Sequence, residues 1–118
     1  MMWVRIGSVL MASGVLLGAF AAHELKNVLD AAQMELFKTG VFYQLVNALG
    51  LILIGTLSLQ SPSRSKLFPS GAFLTAGIIL FSGSLYLMAV QGMTGLALVT
   101  PVGGICLVAG WIFLIFTL

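Results

Sequence analysis

Pro69 to Val90 reads PSGAFLTAGIILFSGSLYLMAV and carries no formal charge. At about 1.5 Å per residue, a helix of this length spans roughly 33 Å, enough to cross a hydrocarbon core of about 30 Å. A strand reading fails on two counts. The apolar residues do not alternate, and the run is about twice the ten residues of a barrel strand. Open strands in lipid would also leave backbone groups unpaired. The stretch is therefore read as a transmembrane helix.

Elsewhere in the chain, three more stretches have the same character: residues 3–22, 41–59 and 98–118, beside 69–90 itself. The whole chain, 1–118, reads as a single membrane domain. The composition agrees. Of 118 residues, 60% are hydrophobic and 7% charged, and the mean hydropathy is +1.17. Soluble domains carry about 25% charged residues, and a small chain leaves much of its surface exposed. These values exclude a soluble globule and a disordered chain. They also exclude a nucleic-acid partner, because the net charge of +2 is a small surplus and not a basic patch.

The first span has features of a secretory leader: Arg5, an apolar run, and Ala19-Phe20-Ala21 before Ala22. The apolar run is long for a leader, so the segment is expected to be retained. Between the first two spans lies the one long polar stretch. Leu25, Val28, Leu29, Ala32 and Leu36 recur there at helical spacing. An amphipathic interfacial helix is expected over residues 24–38, as a connector or as an element docked over the bundle mouth. The expected fold is an all-α integral membrane protein, with four transmembrane helices in an antiparallel bundle plus that interfacial helix.

The second connection, residues 60–68, reads QSPSRSKLF and is a polar turn. The third, around Gly92 and Gly95, has no charge. Short connections make neighbouring helices antiparallel. Thr100-Pro101 suits a helix start. With both termini cytoplasmic, Arg5, Arg64 and Lys66 lie inside and Lys26 and Lys38 outside, which fits the positive-inside rule. The expected location is the bacterial cytoplasmic (inner) membrane, multi-pass, with the lipid bilayer as surroundings.

Little in the spans can carry chemistry. The three acids, Glu24, Asp30 and Glu35, all fall between the first two spans, so a carboxylate proton relay is excluded. One His and one Cys cannot build a metal cluster. Cys106 has no partner for a disulfide and reads as a small buried hydrophobe. No catalytic residue, metal or cofactor is assigned, and an enzyme is not expected. The uncharged polar residues His23, Gln44, Asn47, Tyr86, Gln91 and Thr100 fall toward the face opposite the termini. They are expected either to hydrogen-bond between helices or to line a small cavity. Gly14, Gly18, Gly83 and Gly110 are expected to let helices pack closely. Trp3 and Trp111 are expected at the cytoplasmic interface as an aromatic belt.

Four motifs carry a resemblance: GAFAAHELK at 18–26, VFYQLVNALGL at 41–51, FSGSLYLMA at 81–89 and TPVGGICLVAGW at 100–111. Together they resemble an uncharacterised family of small four-helix bacterial inner-membrane proteins, domain of unknown function number four-two-three, with a mitochondrial relative. The family pattern usually has His where this chain has Asn47. The resemblance implies a polytopic membrane protein and supplies no reaction. It adds Tyr43, Ser82, Ser84, Pro101, Gly103, Gly104 and Trp111 as motif residues. The expected role is an accessory or scaffold protein that binds itself or another membrane protein. The alternative is an oligomeric carrier or pore for a neutral solute or lipid.

Overall fold

The computed structural model describes residues 1–61 and 64–117. The polar turn expected at 60–68 and the end of the last span at Leu118 therefore lie partly outside the described residues. Four helices are long and apolar enough to cross a membrane, and no strand occurs among the described residues. They are α1 (Met2–Phe20), α2 (Ala31–Gln60), α3 (Phe68–Gln91) and α4 (Val99–Thr117).

Neighbours in sequence are neighbours in space: α1 packs on α2, α2 on α3, and α3 on α4. The molecule is flattened, with extents of 50 × 27 × 16 Å. Helices α2 and α3 carry most of the core, including Leu51, Ile54, Leu74 and Ile78. The outer faces of α1 and α4 present large apolar side chains such as Leu16, Ile105 and Phe116. In water that surface would be costly, whereas in hydrocarbon it is solvated.

The separate interfacial helix expected over 24–38 is absent. A short π-helical turn, Ala21–Leu25, ends the first helix, and the chain then turns at residues 26–29. Asp30 is extended and caps α2. Its Oδ1 accepts from Gln33 N–H at 2.8 Å, and Gln33 Oε1 accepts from Asp30 N–H at 2.9 Å. This reciprocal cap starts a helix at Ala31 that runs without interruption to Gln60. The apolar periodicity has another use in part. Leu25 is buried with Ala21, Phe37 and Ala89 in a second core cluster, against which Leu29 and Leu36 pack, while Val28 and Ala32 stay exposed. The clustered side chains face the bundle and not the acyl chains. At 30 residues, α2 is about 45 Å long, so its first turns project beyond a core of about 30 Å.

Glycines set the helix spacing. A Cβ on Gly7 would lie 2.7 Å from the Ala48 carbonyl oxygen, and one on Gly55 would lie 2.7 Å from Val4 N. A Cβ on Gly103 would run into the backbone of Leu80 and Phe81. Gly92 is the one described residue with positive φ, at 66°. It ends α3 by donating its N–H to the Met88 carbonyl at 3.2 Å.

The tryptophans do not form a belt. Trp3 is buried beneath Phe68, with ring centroids 5.4 Å apart, and its ring covers Gly71. Trp111 turns into the bundle over Gly50. In each case the facing glycine leaves a ring-sized recess, which draws the side chain inward.

Candidate functional site

The polar residues of the spans sort into three groups, two of them centred on α2. Gln44 is buried and serves two helices. Its Nε2 donates to the Leu10 carbonyl at 2.8 Å and to Ser13 Oγ at 2.9 Å, both on α1. Its Oε1 accepts from the Tyr86 hydroxyl of α3 at 2.6 Å. Both amide hydrogens of Gln44 therefore have acceptors, and its oxygen has a donor.

Asn47 lies one turn further along α2. Its Nδ2 donates to the Tyr43 carbonyl at 2.8 Å, and its Oδ1 accepts from Trp111 Nε1 at 2.8 Å. The two amides are three residues apart and both are buried, yet they tie α2 to different partners. The third group joins α3 to α4, with the hydroxyls of Ser84 and Thr100 2.5 Å apart. Ser82 Oγ adds a bond to the Gly40 carbonyl at 2.7 Å.

Each tied ring also meets a glycine. A Cβ on Gly40 would lie 2.7 Å from the Tyr86 ring, and one on Gly50 would lie 2.6 Å from the Trp111 ring. Gly40 is four residues before Gln44, and Gly50 is three after Asn47. At these spacings each glycine shares a helix face with its amide. On α2, then, a glycine seats a ring while an amide holds its polar tip.

His23 and Gln91 stay outside this arrangement. His23 is exposed in the π-helical turn, and Gln91 is exposed at the end of α3. Thr100 bonds Ser84 of α3 and not the α2 amides. Gly14 faces Leu45 and Gln44, and Gly110 faces Leu74. Gly18 has only ordinary contact with Val41, at 3.4 Å, and Gly83 has no neighbour within 4 Å, so neither sets a close approach. Ser13, Gly40 and Gly50 belong to the site although they are not among the residues expected from sequence. The glycine spacing around Gln44 and Asn47 is the signal that points to them.

Beside the amides, a groove of about 600 Å³ opens between α2 and α4. Tyr43, Asn47, Phe81, Pro101, Gly104 and Val108 are among its walls. Beyond Trp111 and Val46 a second hollow of about 500 Å³ continues it along Leu49, Leu53 and Thr56. The Tyr43 ring packs near Phe81, with centroids 4.8 Å apart. Among the described residues, no group of three His, Cys, Asp or Glu could hold a metal ion.

Three of the four quoted motifs, at 18–26, 41–51 and 81–89, lie wholly within the stretch that a family model matches, and the fourth begins in it. Residues 17–104 fit the family model described as protein of unknown function (DUF423). The chain belongs to that family. Among relatives of this DUF423 chain, the UPF0382 membrane protein YwdK of Bacillus subtilis is 33% identical over 113 residues, covering 96% of this chain and 92% of the relative. The UPF0382 inner membrane protein YgdD of Escherichia coli K12 is 39% identical over 97 residues, covering 82% and 73%. A UPF0382 membrane protein of Haemophilus influenzae is 36% identical over 100 residues, covering 85% and 79%. No solved structure matches the chain.

Proposed function

We propose that this protein is a non-catalytic accessory of the bacterial cytoplasmic membrane, with both termini cytoplasmic, that acts by lateral contact with another membrane protein. The single observation behind this reading is the internal pairing of Gln44. Its amide ties α1, α2 and α3 together and leaves no donor free for a polar solute. A hydrated passage through the bundle would need those groups turned to water. The surface open to a partner is the α2–α4 groove, whose walls are largely apolar and lie along two membrane-spanning helices. It suits one transmembrane helix of a partner, packed against Gly104 and Pro101, where small or flat residues permit close approach.

A second reading, a carrier for a neutral lipid, draws on Tyr43. Its side chain lines the same groove and is 41% exposed. Its hydroxyl has no protein partner among the described residues, so it could donate to a lipid carbonyl.

Placing a photo-crosslinking benzophenone side chain at Ile105 separates the two. The accessory reading expects one discrete protein adduct, lost when the groove is filled by Gly104→Phe. A product of twice the chain mass would make the occupant a second copy. Adducts to lipid alone, together with lipid transfer by the pure protein between vesicles, would overturn it.

A further inference from the structure

The corner between α1 and α2 holds a pocket of about 430 Å³, which shares no lining residue with the α2–α4 groove. Lys26 enters it from the turn and Lys38 from the second turn of α2. They are the only two cations between the first two apolar stretches. Three carboxylates lie in the same segment, yet among the described residues none forms an ion pair with either ammonium. Asp30 also lines the pocket, and one of its oxygens is occupied by the Gln33 N–H. The helix N-terminus is thus closed by its own cap, and the two lysines are what an anion would meet.

Charge and depth narrow the ligand. Two cations and one carboxylate leave the pocket one net positive charge, which a phosphodiester balances. Ala21, Leu29 and Met34 form apolar walls beside the lysines. A free phosphate has no use for such walls, whereas the glycerol–acyl junction of a lipid does. Lys38 lies three residues before Val41, where the long apolar run of α2 begins, so the pocket sits about 4.5 Å beyond that boundary. Headgroup regions add roughly 5–7 Å to each side of the hydrocarbon core, so phosphates of the leaflet opposite the termini lie at this depth.

We propose that this corner binds the phosphodiester headgroup of an anionic phospholipid, with Lys26 and Lys38 as its phosphate contacts. The GAFAAHELK motif acquires a use by this assignment: its π-helical turn carries the chain so that Lys26 and Lys38 face one pocket. A π-turn inserts an extra residue into the helix and so re-aims the residues beyond it.

The test is native mass spectrometry of the full-length protein released from nanodiscs of phosphatidylglycerol and phosphatidylcholine in equal amounts. The wild type should retain phosphatidylglycerol in preference. Lys26→Gln and Lys38→Gln should each reduce the preference by about fivefold, and the double variant should abolish it. Lys66→Gln, at the opposite end of the molecule, should leave it intact. Both target side chains are exposed, so helix content should be unchanged. Equal retention of the two lipids by the wild type would overturn the proposal, as would a preference surviving in the double variant. Displacement of phosphatidylglycerol by inorganic phosphate, but not by chloride at equal ionic strength, would make it a free-anion site and overturn the lipid assignment.

Discussion

Tyr86 of α3 donates its hydroxyl to Gln44 Oε1 of α2 at 2.6 Å while its ring lies over Gly40, one turn away on the same helix. The ring and the hydroxyl are thus fixed by two different features of α2. Hydrogen bonds between transmembrane helices average about 0.6 kcal/mol and seldom exceed about 1.7. In a double-mutant cycle with Gln44→Leu and Tyr86→Phe, the coupling energy should fall in that range. Reversible unfolding in mixed micelles measures it. A coupling near zero would mean the pair does not hold the helices.

Glycine substitutions should separate seated rings from open surface. Gly50→Ala puts a methyl group into the Trp111 ring, and Gly40→Ala puts one into Tyr86. Overpacking of this kind costs about 1–3 kcal/mol, so both variants should melt earlier in detergent. Gly83→Ala meets no atom within 4 Å and should match or exceed the wild type, since alanine favours the helix.

Ser70 offers the opposite case. It is fully buried, and its hydroxyl has no partner among the described residues. An unmade buried hydrogen bond costs about 1–3 kcal/mol. Ser70→Ala should therefore stabilise the protein by about 1 kcal/mol, read in the same unfolding assay. Destabilisation would mean that the hydroxyl has a partner.

The start of α2 rests on the reciprocal cap of Asp30 and Gln33. Asp30→Ala should cost about 1 kcal/mol and fray the first turn. Amide exchange at residues 31–34 should rise well above that at 44–48. Equal protection at both sites in the variant would remove the cap's assigned role.

The four helices are legible in the sequence because hydropathy and length leave no other structure in lipid. The stretch 24–38 misleads because periodicity reports an apolar stripe but not its neighbour. Leu25, Leu29 and Leu36 pack on the cluster of Ala21, Phe37 and Ala89, and nothing in the local sequence distinguishes that from a lipid surface. Gln44 and Asn47 are legible as intramembrane polar groups. That Gln44 reaches Leu10 and Ser13 while Asn47 reaches Trp111 depends on helix rotation, a tertiary property. Trp111 misleads for a related reason. Its position near the chain end suggests an interface, but Gly50 opens a recess toward which a helical side chain, leaning to its own N-terminus, naturally points.

Gln44 of α2 has its amide paired to α1 and α3, and the proposed function depends on that amide being shielded from water. Water-edited NMR of this side-chain amide, in nanodiscs, probes the shielding without perturbing the fold. Slow exchange and no magnetisation transfer from water are expected at Gln44, with Nε2 held by Leu10 and Ser13. Rapid transfer from water to the Gln44 amide would contradict that shielding and restore a hydrated cavity in the bundle.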